Sequence, residues 1–124
     1  MADAVTIAKS FVDYYYSTFD RNRAELHTLY KDISMMTFEG NQVQGTKAIV
    51  EKLAGLPFRR VQHQVSTIDA QPANPSIPTI LVTVTGQLLV DEEQNPQKFT
   101  QTFQLVPEGS NYFVYNDVFR LVYM

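Results

Sequence analysis

An aspartate and a histidine each interrupt a row of apolar residues in this chain, and such a pair is the raw material of general acid–base chemistry. Near the C-terminus Phe113, Tyr115, Asp117, Phe119 and Leu121 alternate, so as a strand they share one face. In the segment that starts near Arg59, Val61, His63, Val65 and Thr67 alternate in the same way. A carboxyl and an imidazole facing one apolar cavity have their pKa values shifted by burial, and exclusion of water strengthens proton transfer. The alternative is a buried polar pair in which His63 and Asp117 are simply each other's hydrogen-bond partner. The chain supplies no identifiable nucleophile, metal-ligand cluster or phosphate-binding loop, which favours the structural pair and no catalytic residue.

A second cluster is acidic. Asp91-Glu92-Glu93-Gln94-Asn95-Pro96 concentrates three of the 13 acidic residues between two apolar segments, Ile80 to Val90 and Phe99 to Val106. Acids on a turn between buried strands are held on a stiff support, which suits a partner that presents Lys or Arg. Phe38-Glu39-Gly40 and Leu56-Pro57-Phe58 each place an aromatic ring near a rim position. Together these segments read as an apolar mouth edged by Glu39, Asp91, Glu92 and Glu93, or equally as a solvated hairpin above ordinary core aromatics.

The elements that must position these groups are legible in the spacing. Ile7, Phe11, Tyr14, Tyr15, Thr18 and Phe19 recur at three- and four-residue steps, which predicts a helix from about Asp3 to Phe19. Asp20 can cap a second short helix that buries Leu26, Leu29 and Tyr30. Gly45-Thr46 can open a third with Ile49, Val50 and Leu53 inward, stopped by Gly55. Ser34 to Phe38 reads as a short strand. From Arg59 onward alternation is broken by turn chemistry at Pro72 to Pro78, Asn95-Pro96 and Pro107 to Asn111, which predicts a meander of four antiparallel strands. The fold class is α+β, with three helices covering one face of a curved sheet. Apolar residues on both sides of the later strands, Leu81 and Leu89 opposite Ile80, Val82 and Val84, predict a homodimer joined sheet to sheet.

Composition narrows the functional classes. The 124 residues suit a single domain spanning the chain. Cysteine is absent and only His27 and His63 are present, so neither a disulfide framework nor a cysteine- or histidine-rich metal site is expected, nor any cofactor. The net charge is -3 and no basic run exceeds Arg59-Arg60, so neither nucleic acid nor an anionic membrane is an expected partner. Asp3, Lys9 and Asp13 break the apolar character of the N-terminal segment, so no secretory signal is expected.

Phe11 to Asp20 (FVDYYYSTFD), Thr37 to Gly40, Gln44-Gly45, Ile49 to Leu53 (IVEKL), Leu56 to His63 (LPFRRVQH), Gly86 to Leu88 and Asn116 to Leu121 (NDVFRL) together resemble the nuclear transport factor 2 family. The resemblance runs in order over nearly the whole chain, and the DEEQNPQ turn resembles its fungal members. It implies a conical α+β fold with a strongly bent, mainly antiparallel sheet, and a homodimer through that sheet, for which Val118 is an interface residue. It also implies a carrier rather than an enzyme, one that takes the GDP-bound small GTPase Ran into the nucleus. An aromatic residue of the GTPase would enter a socket walled by Phe38, Leu56, Phe58, Val61 and Phe119, with His63 and Asp117 as a polar pair inside. Glu39, Asp91 and Glu93 match the family's rim acids, with Glu93 standing where the family has Asp. The resemblance further implies binding to phenylalanine-glycine repeats of nuclear pore proteins, and residence in cytoplasm and nucleus, concentrated at the nuclear envelope. The aromatic that serves repeat binding in the family is Ala4 here, so that site does not carry over. The same cone shape occurs in small dehydratases and isomerases, which keeps the Asp–His enzyme as the alternative.

Overall fold

The computed structural model describes residues 3–123. Helix α1 runs Ala4–Asn22, capped by the Asp3 carboxylate, which accepts the Thr6 N–H at 2.7 Å. It buries Ala8, Val12, Tyr15, Tyr16, Thr18 and Phe19. Tyr16 is therefore inward and Tyr14 exposed, the reverse of the expectation for Tyr14. Three consecutive tyrosines offer no difference in side-chain type by which spacing could choose among them.

The expected second helix is instead a seven-residue 3₁₀ segment, Arg23–Leu29, capped by Asn22 rather than Asp20. Asp20 lies within α1, which continues past it. Helix α2 (Thr46–Ala54) buries Ile49 and Leu53 and ends at Gly55. So two α-helices and a 3₁₀ turn stand where three helices were expected.

Six strands form one sheet: β1 (Tyr30–Phe38), β2 (Asn41–Gln44), β3 (Val61–Pro72), β4 (Ile80–Val90), β5 (Gln97–Glu108) and β6 (Asn111–Leu121), in the order β2-β1-β6-β5-β4-β3. The expected meander is β3 to β6. Strand β1 lies parallel to β6, which makes the sheet mixed, and β2 is a short polar edge strand that apolar alternation does not reveal.

Two irregularities decide which side chains face the helices. On β6 the register with β5 shifts so that Leu105 faces Val114 and Gln104 faces Asn116, leaving Tyr115 as an extra residue. Val114 is fully buried in the core and Tyr115 is exposed on the other side, so Tyr115 leaves the row that Asp117, Phe119 and Leu121 share. On β3 a shift between Val65 and Thr67 does the same at Ser66, and Ile68 and Ala70 replace Thr67 as the inward positions. Bulges bend strands as well as reversing parity.

Gly86 sits opposite Val65 at that second bulge. A Cβ there would lie 2.4 Å from the Gln64 carbonyl oxygen and 3.1 Å from the Phe99 ring, so only glycine permits the approach. Gly86→Ala is expected to lower stability by about 2 kcal/mol or more, measured as a drop in the denaturant midpoint. An unchanged midpoint would show that the β3 backbone yields freely at this point.

Candidate functional site

Between the helices and the inner face of the sheet lies a cavity of about 320 Å³ open at one end. Phe38, Leu56, Phe58, Val61 and Phe119, singled out from the sequence, all line it. The register of β1 against β6 sets Phe38 beside Phe119, and their rings stack at 4.7 Å with planes 7° apart. Phe99 continues the stack against Phe119 at 5.6 Å. The wall also contains residues that sequence reasoning did not assign to it, among them Phe19, Met36, Leu88 and Gln101. Helical spacing announced the burial of Phe19, but periodicity does not separate a cavity wall from solid core, and no apolar pattern marks Gln101.

Asp117 is buried in the polar layer beneath this wall. Its carboxylate accepts Gln101 Nε2–H at 2.8 Å, the Tyr30 hydroxyl at 2.7 Å and the Tyr15 hydroxyl at 3.3 Å. Tyr16 donates in turn to Gln101 Oε1 at 2.7 Å. Burial pushes the Asp117 pKa from 3.8 up to about 6, and the three donors pull against that rise without cancelling it. Burial first, and then the adjacent carboxylate, keep the Tyr15 and Tyr30 phenols protonated far into the alkaline range.

His63 does not pair with Asp117. Its Nδ1–H donates to Asp20 Oδ1 at 2.6 Å and its backbone N–H to Asp20 Oδ2 at 2.9 Å. The helix that continues past residue 20 brings this carboxylate to β3, and the imidazole stacks on Tyr16 at 4.5 Å with Phe19 and Phe99 edge-on. The expected Asp–His couple is thus two separate motifs: Asp117 with tyrosines and a glutamine, and His63 with Asp20.

The acids divide by what holds them. Glu93 lines the mouth of the cavity and its side chain is free of any hydrogen bond or ion pair among the described residues. Asp91 adopts φ 51° and its Oδ1 accepts both the Arg59 and Arg60 backbone N–H groups, at 3.0 and 2.9 Å. It fastens the β4–β5 turn to the loop that forms one lip. Glu39, also at φ 51°, opens the β1–β2 turn, and its Oε1 accepts the Leu121 backbone N–H. Glu92 is exposed beside Asp91.

Arg23 went unnoticed in the sequence. Its Nε donates to the Leu53 carbonyl and its Nη2 to the Phe58 carbonyl, both at 2.8 Å, while the guanidinium lies 4.7 Å above the Phe58 ring. It closes the C-terminal end of α2 and fixes the same lip from inside. No metal site competes for these groups: among the described residues no three His, Cys, Asp or Glu side chains converge on a common point. Nor is any described helix long and apolar enough to cross a membrane.

Residues 7–121 match the model of the nuclear transport factor 2 (NTF2) domain. The chain belongs to the NTF2 family. It is 61% identical to the nuclear transport factor 2 of Emericella nidulans over 124 residues, covering 99% of this chain and 98% of that one. Among solved structures, the nuclear transport factor 2 of Cryptosporidium parvum superposes with a TM-score of 0.86 at 42% identity, over 94% of this chain and 93% of the other. A proposed scytalone dehydratase from Novosphingobium aromaticivorans shares the fold alone, with a TM-score of 0.74 at 16% identity over 96% and 84% of the two chains. The NTF2 relatives are named for nuclear transport, and that role is the one the family assigns to this chain.

Proposed function

We propose that the chain is a nuclear import carrier for the GDP-bound form of the small GTPase Ran. It works as a homodimer, engages phenylalanine-glycine repeat nucleoporins, and moves between cytoplasm and nucleus with its highest concentration at the nuclear pore. The observation that carries this reading is the open, aromatic-walled socket with the unpaired acid Glu93 at its mouth. An inserted aromatic side chain supplies apolar contact, and rim acids supply charge pairs to flanking Lys or Arg. Such a small, partly electrostatic interface releases readily, as a carrier requires.

Selectivity for one nucleotide state needs no nucleotide site in the carrier. Switch segments of a GTPase are ordered differently by GDP and GTP, so a socket that reads a switch residue reads the nucleotide indirectly. The dimer reading is supported by the outer face of the sheet, where Leu81, Tyr115 and Val118 are exposed, Val118 by 44%. Neither Ala4 nor Val5 is aromatic, so a repeat-binding groove at the helix start is weaker here, or is built from other residues, or lies on another surface. Against the enzyme alternative, the polar groups at and beneath the socket wall are engaged chiefly with one another.

Immobilised protein should capture Ran loaded with GDP in preference to Ran loaded with a GTP analogue, by at least tenfold. Raised salt should weaken that capture, since the rim charges are screened within about 8–10 Å. Equal capture of both nucleotide forms would sink the carrier reading, and turnover of a small molecule lost on altering Asp117 or His63 would replace it.

A further inference from the structure

The socket is larger than one aromatic side chain needs, and among the described residues a buried polar side chain on its wall keeps one atom without a partner. Its volume of about 320 Å³ is roughly twice that of an apolar cavity of about 150 Å³ that takes up benzene. Most buried polar groups around it are satisfied: Gln101 uses its oxygen on Tyr16 and its nitrogen on Asp117, and the Tyr15 and Tyr30 hydroxyls bond each other and Asp117. His63 is the exception. Its side chain is only 3% exposed and lines the cavity, Nδ1 is held by Asp20, and Nε2 has no hydrogen-bond partner among the described residues.

We propose that the socket is a binding site for small phenols, neutral molecules with one aromatic ring and one hydroxyl, which donate that hydroxyl to His63 Nε2. A carboxylate is acceptor only, so the contact with Asp20 places the proton of the neutral imidazole on Nδ1 and leaves Nε2 as an acceptor. The ligand must therefore bring a donor. The rest of the wall asks for an aromatic body, since the stacked Phe38 and Phe119 rings present a planar face. A carboxylate ligand is disfavoured by Asp20 and Asp117, and a cation by the loss of its hydration in an apolar site. This ligand goes beyond the carrier reading and needs no protein partner.

The test titrates the full chain, in mildly alkaline buffer, with p-cresol and with toluene, which differ by the hydroxyl alone, and follows amide chemical shifts by NMR. The unaltered protein is expected to bind p-cresol at least as tightly as toluene, although the hydroxyl has to leave water. His63→Asn retains an amide N–H where Nδ1 stood, to serve Asp20, and places nothing at Nε2. In that variant the affinity of p-cresol relative to toluene should fall about tenfold, the worth of one buried hydrogen bond. An unchanged ratio overturns the role of His63, and absence of saturable binding by either probe overturns the site. The GTPase capture experiment separates the two readings: p-cresol binding without capture supports this site and counts against the carrier, and capture without p-cresol binding does the reverse.

Discussion

The stability gap between the unaltered protein and Asp117→Asn should move by roughly 2.5 kcal/mol between about pH 4 and about pH 7.5, in favour of the variant. The Asp117 pKa rises from 3.8 to about 6 on folding, so the folded state holds this proton more tightly than the unfolded chain does. The resulting stabilisation is fully present below 3.8 and is lost as pH rises through about 6. An amide at this position does not titrate, keeps an oxygen for the Gln101 N–H, and offers an N–H to the Tyr30 hydroxyl, which can rotate to accept it. At about pH 4 the two proteins should therefore differ by no more than about 1 kcal/mol. Asp117→Ala behaves differently. At the same acidic pH it should cost about 3 kcal/mol, because Gln101 and one of the two tyrosines lose their acceptor and a small void remains. That deficit should shrink at pH 7.5, where the unaltered protein carries the buried charge. Urea denaturation of the three proteins at both pH values measures all of this. A gap independent of pH would show that water reaches the Asp117 carboxylate.

The groups left behind in Asp117→Ala are neutral, which is why the expected cost lies below that of breaking a buried ion pair. The sequence pattern supported a different partner for Asp117, because alternation placed Asp117 and His63 in similar apolar rows and said nothing of what each row faced. The actual partner of His63 is 43 residues away on the helix. Asp20 looked like a cap because it stands between two helical patterns, and only the continuation of α1 to Asn22 turns it toward β3. Periodicity assigns a residue to a face, and tertiary crossing chooses its partner.

The same distinction explains which parts of the fold were legible. The extent of β4, Ile80–Val90, and two of the three inward positions expected of α2, Ile49 and Leu53, follow from local pattern and turn chemistry, whereas Val50 is only half-buried and lies outside the core. Tyr115 and Ser66 could not be read in this way. A bulge is fixed by how two strands divide their hydrogen bonds, and the residues that form it need no special type. The five wall positions came from the resemblance, and local pattern by itself placed only the Phe38 and Phe58 rings near a rim. Arg23 was not legible, because its work lies in two backbone carbonyls, Leu53 and Phe58, that no side-chain pattern records.

Glu93→Lys should weaken capture of GDP-loaded Ran about a hundredfold while leaving the denaturant midpoint within about 0.5 kcal/mol of the unaltered protein. The side chain lines the mouth and supports nothing else among the described residues, so reversing it replaces an attraction by a repulsion without disturbing the lip. Asp91 is not equivalent, although the resemblance puts both acids on the rim. Its carboxylate holds the Arg59 and Arg60 N–H groups, and its backbone sits at φ 51°, where asparagine is tolerated far better than lysine. Asp91→Asn keeps the acceptor oxygen and removes only the charge, so capture should fall about tenfold with the lip intact. Asp91→Lys removes the fastening as well, and should lose both capture and about 1–2 kcal/mol of stability. Glu39→Lys occupies a middle position, since one carboxylate oxygen already serves the Leu121 N–H. Measured together, the four variants separate charge from scaffold. If the acids act only as partner contacts, capture tracks charge alone and Asp91→Asn equals Asp91→Lys after allowance for one extra charge. If the Asp91 carboxylate also fastens the lip, the two diverge in stability, and the capture lost by Asp91→Lys exceeds what its charge predicts at every salt concentration. The turn is then both a contact and the part that shapes the socket's mouth.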